Sequence, residues 1–359
     1  MRGANSAPPF ATRPNHVIRL KVLYVYEAMT METKAGSVLA PWEVEFVRSA
    51  SEQDVFHCFR LFLGRCPSKH EWPAHTGAFV GKPLDAVVSV YLNSPEFKAR
   101  KLVAYSLDDI EFVQLNGYGM FVSRNDLMVG IDIRSRRQYE PQVSQVFREI
   151  LRPGMRVIDV GANVGWFSCL SCHLVGPGGR VVAVEAGEVN TRLLMMSRLK
   201  NAWDHLSIMS LAASDRVETL LYSSNSSNGF VRVPQDVDEI AGGEPVGAVP
   251  LGPVLEDGHP WHLIKIDVEG YEFKVLEGLD DMIRRHKPAM LIEFAPPSLR
   301  NIPGVEYKQF LGWLTERGYS VTVLTGADRN DCGTDIERVL SLYESAESDH
   351  VDLLLRAGE

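Results

Sequence analysis

The sequence predicts an α/β protein built on a three-layer, doubly wound sheet, preceded by an all-α segment. Three observations carry that expectation. From Val157 onward, short aliphatic runs alternate with helix-length stretches, giving five βα units. The first run, Val157-Ile-Asp-Val, ends in Gly161-Ala-Asn-Val-Gly165 and passes directly into Trp166-Phe-Ser, the pattern of a buried strand, a tight turn and a helix start. The late runs Tyr319–Leu324 and His350–Leu355, with no full helix expected between them, place an antiparallel pair at the sheet edge.

Composition narrows the options. A chain of 359 residues, 45% hydrophobic, can bury one large domain and a smaller one. The formal charge of −9 disfavours a nucleic-acid partner. The five cysteines, Cys58, Cys66, Cys169, Cys172 and Cys332, are odd in number and scattered. Cys169 and Cys172 fall in the helix after the glycine turn and read as buried thiols rather than a metal or redox pair. No secretion signal is evident and no apolar run reaches membrane-spanning length, so the expected location is the cytoplasm.

Taken in order, residues 1–36 are rich in Ala, Pro, Thr and Arg around the apolar patch Val17–Val25 and read as a poorly ordered tail; Met29 and Met31 offer later starts. Residues 40–106 read as a small helical module. One helix is expected around Trp42–Val47 and another over Val55–Leu63, closed by Gly64. Pro83 opens a third and Asn93-Ser94 caps a fourth. The stretches Phe59-Arg-Leu-Phe-Leu-Gly-Arg-Cys-Pro and Tyr91-Leu-Asn-Ser-Pro-Glu-Phe resemble a helical module fused to enzymes of glycan and cell-surface assembly. The domain from 109 onward starts with short strands from Phe112 to Ile133, including Met128–Ile133, and a helix from Pro141 to Leu151. Strands are then expected at 157–160, 181–185, 206–213, 263–268 and 289–294. Helices are expected at 164–174, 188–200, 273–285 and 307–317. Residues 223–253 read as looser chain, with Ser223–Asn228 a mobile loop.

Open α/β sheets bind ligands beyond the carboxyl ends of their strands. Acids stand at each such end: Asp159, Glu185, Asp215, Asp267 with Glu269, and Glu293. Charge inside buried strands is costly, so this recurrence points to a ligand. Glu185 lies about twenty residues past the turn, where an acid accepts from ribose hydroxyls; a helix N-terminal charge is the alternative. The turn has no third glycine for a pyrophosphate, and Asp159 would repel one. S-adenosylmethionine, with an ammonium and a sulfonium and no phosphate, suits an acidic rim.

Val157-Ile-Asp-Val-Gly-Ala-Asn-Val-Gly-Trp-Phe-Ser, Val182-Ala-Val-Glu, Ala212-Ala-Ser-Asp, Leu263-Ile-Lys-Ile-Asp-Val-Glu-Gly-Tyr-Glu-Phe and Met290-Leu-Ile-Glu-Phe occur in order. Together they resemble the FkbM-type family of S-adenosylmethionine-dependent O-methyltransferases, over about residue 109 to the C-terminus. The resemblance implies the Rossmann-like sheet of a class I methyltransferase, five parallel strands plus a C-terminal antiparallel hairpin. It also implies a methionine end lined by Asp159, Gly161 and Gly165, with Asn163 of the same turn among the cofactor contacts. Glu185 would take the ribose and Asp215 would lie near the adenine. The implied acceptor is a hydroxyl of a sugar, glycan, glycolipid or glycosylated metabolite. Three departures stand out: Ala186 where the family has proline, Ser197 for the first of two asparagines ending at Asn201, and Gly252 for an acid.

In the fourth strand Lys265, Asp267 and Glu269 alternate onto one face. Methyl transfer to an alcohol is an in-line displacement whose proton needs a base or a metal. Asp267 and Glu269 are the first candidates for base or acceptor anchor, with Glu272 and Glu293 next and Lys265 paired to a nearby acid. The same acids are able to hold Mg²⁺ with waters, but no histidine or further acid is spaced to complete a ligand set, and no metal residue is assigned. A purely structural account would be a buried Lys265–Asp267 ion pair and a helix start at Glu269-Gly270. Two rival functions stay open: a nicotinamide-dependent oxidoreductase and a non-catalytic binding protein of glycan assembly.

Overall fold

The computed structural model describes residues 31–32, 38–39, 47–100, 109–299, 305–326, 328–346 and 348–358. The tail reading for residues 1–30 and 33–36, the helix expected over Trp42–Phe46 and the end of the helical segment at 101–106 lie outside them, whereas Met31–Glu32, read as loose tail, pairs antiparallel with Val38–Leu39. The chain divides into two compact units, Met1–Arg100 and Lys101–Glu359.

In the first unit, Ser51 and Asp54 form a capping box that starts helix α1 (Glu52–Cys58). The helix continues as one wider π turn, Phe59–Leu63, and Gly64 stops it at φ 69°. Helix α2 (Glu71–Phe79), absent from the sequence reading, is followed by α3 (Leu84–Leu92) and α4 (Pro95–Ala99). Val55, Phe59, Val87, Tyr91 and Phe97 form the core of this unit.

The second unit opens with a hairpin, β1 (Ile110–Gln114) and β2 (Gly119–Ser123). Asn201 and Ser197 hold it: Asn201 exchanges hydrogen bonds with Gly119 at 3.1 and 2.7 Å, and the Phe121 amide donates to Ser197 Oγ. Residues 130–136 form helix α5 (Gly130–Arg136) rather than the expected strand, because Asp126 accepts from the amides of Met128, Val129 and Gly130 and starts a helix there. Helix α6 (Pro141–Ile150) then leads into the sheet.

Strand β3 (Arg156–Val160) is followed by α7 (Trp166–Val175), β4 (Arg180–Glu185), α8 (Glu188–Lys200) and β5 (Leu206–Ser210). The expected third strand breaks at Leu211. Its end, β6 (Ala212–Ala213), joins a second sheet with β7 (Glu218–Asn225), β8 (Asn228–Arg232) and β9 (Glu244–Val249), in the order β8-β7-β9-β6. The stretch read as loose, 223–253, is therefore folded, with α9 (Val237–Gly242) and α10 (Leu251–Leu255) completing it; Ser223–Asn228 lies within a hairpin, not a mobile loop. Its strands are interrupted by Ser, Asn and Gly, and these turn-forming residues hid them.

The main chain returns through β10 (Leu263–Ile266), α11 (Glu272–His286), β11 (Ala289–Phe294), α12 (Pro296–Leu299) and α13 (Tyr307–Glu316). It ends with β12 (Tyr319–Thr325), β13 (Asp328–Gly333), α14 (Ile336–Ser345) and β14 (Val351–Ala357). A strand and a full helix thus separate the two late runs, which still pair antiparallel. The sheet order is β13-β12-β14-β11-β10-β3-β4-β5, with β11, β10, β3, β4 and β5 parallel and three antiparallel strands at one edge. This is the Rossmann-like doubly wound sheet expected, one antiparallel strand larger.

Chain order reverses between β3 and β10, the place where such sheets hold ligands. The junction is tight. The Asp267 amide donates to Val160 O at 3.0 Å. Gly161, at φ 79°, passes so close that a Cβ would lie 1.7 Å from Asp267 O. Gly161→Ala should therefore destabilise the protein by about 3 kcal/mol or more through backbone displacement and left-handed strain. Chemical denaturation measures this; an unchanged midpoint would refute the close approach.

Candidate active site

The residues of the glycine turn and of the end of β4 converge. Gly161 and Ala162 amides donate to Val184 O, so the glycine turn wraps the end of β4. The Glu185 carboxylate accepts from the Asn163 amide at 2.8 Å, the Gly187 amide at 2.8 Å and Asn190 Nδ2 at 3.3 Å. Burial pushes its carboxyl up to about 7 against these bonds. Glu185 therefore serves both readings, helix start and turn clamp, and is 6% exposed. The β7–β8 hairpin lies over this point. Asn163 Nδ2 donates to Asn228 Oδ1 at 3.1 Å, Asn190 Nδ2 donates to Ser227 O at 2.8 Å, and Ser226 and Ser227 hydroxyls donate to Asp126 at 2.9 Å. Gly165, at φ 95°, is needed for packing: a Cβ there would meet Leu194 at 2.1 Å. Asp215 is half-buried and bound to Lys274 at 3.1 Å; burial opposes its charge, but Lys274 and Ser214 hold its carboxyl below the usual range.

Beside the turn, alternation places Asp159 and Lys265 on the face covered by α6 and α7, opposite one another in register. Asp159 Oδ2 accepts from Ser168 Oγ at 2.6 Å, while Oδ1 is buried without a hydrogen-bond partner. Lys265 Nζ bonds Asp267 Oδ2 at 2.6 Å and lies 4.9 Å from the centre of the Phe167 ring. Burial works against the lysine's charge, but Asp267, Glu140 and Asp159 outweigh it and hold the ammonium well above its usual range. The expected ion pair is present. The expected alternation of Glu269 with it is not, because β10 ends at Ile266 and Glu269 occupies a left-handed turn at φ 54°. Nor does α11 start there: it begins at Glu272, whose Oε1 accepts from the Val268 and Gly270 amides.

Carboxylate oxygens of Asp267, Glu269 and Glu293 all lie within 4.8 Å of one another. Spacing alone does not make these acids a metal centre. Burial, then Asp267, pushes Glu269, at the cleft rim, up to about 7; burial and the neighbouring acids push Glu293 well above its usual range. Sequence reasoning missed four residues here: Glu140, Gln142, His350 and Asp352. Asp352 stands opposite Glu293 in register, and His350 Nε2 is 3.9 Å from Glu293 Oε2. Burial raises Glu140 to about 7 and Asp352 to about 6. The signal for Asp352 and His350 was the antiparallel direction of β14, which brings its first residues, not its last, to the ligand end.

A doubly wound sheet with a short glycine turn and acids at its strand ends defines a Rossmann-like α/β domain of the class I methyltransferase type. Residues 159–321 match the family model described as the methyltransferase FkbM domain, and the chain carries that domain. Ribosomal RNA large subunit methyltransferase E of Acidithiobacillus ferrooxidans is 44% identical over 52 residues, 14% of this chain and 24% of that protein. The chain thus spans about a quarter of the length of the curated relatives it matches. Among solved structures, methyltransferase FkbM from Methylobacillus flagellatus KT is similar with TM-score 0.36 and 16% identity, covering 59% of this chain and 50% of that one. The O-methyltransferase from Bacillus cereus in complex with SAH is similar with TM-score 0.36 and 12% identity, covering 62% and 83%. No helix among the described residues is long and apolar enough to cross a membrane.

Four acids pushed up to about 7 (Glu140, Glu185, Glu269 and Glu272) and one to about 6 (Asp352) bind protons more tightly folded than unfolded. Their contribution is lost as pH rises through these values, and the raised His350 acts in the same direction. The melting temperature should fall between about pH 5 and about pH 7.5. A rise across that window, read by scanning calorimetry, would contradict the raised proton affinity of these groups.

Proposed function

We propose that this protein transfers the methyl group of S-adenosylmethionine to a hydroxyl of a sugar, glycan, glycolipid or glycosylated metabolite. The observation that carries the reading is the ring of strand-end acids around a glycine turn suited to a cationic ligand, within an FkbM methyltransferase domain. The residues fit the cofactor: Asp159 Oδ1 is a buried acceptor with no hydrogen-bond partner, and a ligand bearing an ammonium satisfies it. Asp159, Gly161, Asn163 and Gly165 would hold the methionine end, Glu185 the ribose hydroxyls and Asp215 the adenine side. When bound, the cofactor supplies an electrophilic methyl carbon on a positively charged sulfur.

The chain's own part is alignment and proton management. Lys265 fixes Asp267 at 2.6 Å and so sets one wall of the acceptor cleft. Asp267, Glu269 and Glu293 accept hydrogen bonds from acceptor hydroxyls and hold the reacting oxygen in line. The same acids and the chain's charge of −9 weigh against a polyanionic acceptor such as RNA.

The test is tritium transfer from S-adenosyl-[methyl-tritium]methionine to methyl glycosides, with an RNA oligonucleotide as the competing acceptor. Label should enter the glycosides and not the RNA. Asp267→Asn should lower turnover about 100-fold while leaving S-adenosylhomocysteine affinity within about twofold. Label in RNA alone, or a variant that loses only thermal stability, would overturn the acceptor reading and the role of Asp267 respectively.

A further inference from the structure

Resting on the methyl-transfer reading, we infer that His350, oriented by Asp349, takes the proton from the acceptor hydroxyl. His350 Nδ1 lies 2.8 Å from Asp349 Oδ1. A carboxylate only accepts, so a proton sits on Nδ1, and in the neutral ring Nε2 is the nitrogen that carries the lone pair. That nitrogen is 3.9 Å from Glu293 Oε2, on the side of the carboxylate cluster. The ring lines an open cleft together with Gln142, Thr325, Ser348 and Asp352. Its side chain is 41% exposed, reachable by a ligand yet held on one nitrogen.

The neighbouring acids are less suited to the step. Asp267 Oδ2 is engaged by Lys265, and Glu272 is tied to the turn at 268–270. Glu269 and Glu293 stand beside Asp267, and among the described residues no hydrogen bond fixes their carboxylates. His350 has the arrangement of an orienting acid, an imidazole and an open nitrogen.

The step balances. The acceptor O–H bond breaks and its proton goes to Nε2. The oxygen lone pair forms the new O–C bond as the C–S bond breaks, with that electron pair staying on sulfur. One positive charge leaves the sulfonium and one appears on the imidazole. The groups facing the ring stabilise that charge: Asp349 and Asp352 from its own segment, Glu293 from β11, and Asp267 and Glu269 from the turn after β10. Burial opposes the charged ring, but these carboxylates outweigh it and raise its proton affinity.

The experiment compares native protein with H350A and D349N, using methyl α-D-glucopyranoside and methyl α-D-mannopyranoside as acceptors and tritiated S-adenosylmethionine as donor. H350A should lose about 100-fold or more in rate, lose the acidic limb of the pH profile, and regain activity with added imidazole. Its affinity for S-adenosylhomocysteine should stay within about twofold, which a merely structural role would not predict. D349N should move the acidic limb to lower pH, because a carboxylate that raises the ring's proton affinity is gone. H350A at the native rate with the limb intact would overturn the inference and leave methyl transfer standing. If the native protein methylates neither glycoside, the sugar-acceptor reading fails, and imidazole nitrogen NMR of the native chain decides on the ring. A proton on Nδ1 with bare Nε2 supports the assignment; a proton on Nε2 overturns it.

Discussion

Lys265 places a full positive charge inside the parallel sheet, and the site is built around that charge. A buried ammonium is tolerated only where carboxylates surround it. Here they come from three elements: Asp159 on β3, Asp267 just beyond β10, and Glu140 ahead of α6. Phe167 from α7 closes the other side. Removing one partner of such a cluster would cost about 3 to 5 kcal/mol, since a bare charge stays behind. The lysine thereby links Asp159, at the glycine-turn end of β3, to Asp267, just beyond β10.

The second constraint is the close approach of Gly161 to the Asp267 carbonyl. It brings the ends of β3 and β10 within van der Waals reach and leaves no room for a side chain between them. On one side of this junction the turn grips Glu185 through the Asn163 amide; on the other stand Glu269, Glu293 and Asp352. The β7–β8 hairpin adds a cover over the Glu185 side, tied down by Asp126, Asn163 and Asn190. A cleft lined by carboxylates with one tethered cation, Lys265, suits ligands that carry positive charge or many hydroxyl donors.

Most of the sheet was legible in the sequence because its central strands are buried on both faces and read as unbroken aliphatic runs. Val181–Glu185 and Ala289–Phe294 are examples, and the acids ending them stood out against that background. The second sheet was not legible. Tyr222–Asn225 and Asn228–Arg232 are rich in Ser, Asn and Gly, so their periodicity is drowned by turn-forming residues. Met128–Ile133 looked like a strand from its β-branched residues, yet Asp126 accepting three amides made it a helix. Around the ends of β10 and β11, Asp267, Glu269 and Glu293 could be read from strand ends. Glu140, His350 and Asp352 could not, since their proximity depends on a helix start and an antiparallel strand arriving from distant sequence.

The central claim is that the acids around Gly161–Gly165 form a site for S-adenosylmethionine rather than for a dinucleotide. Calorimetric titration of the full chain with S-adenosylhomocysteine, and separately with NADH, tests it most directly. Micromolar binding of the first is expected, with dissociation constants on the order of 1 to 100 μM, and none of the second. Binding of NADH in preference to S-adenosylhomocysteine would contradict it.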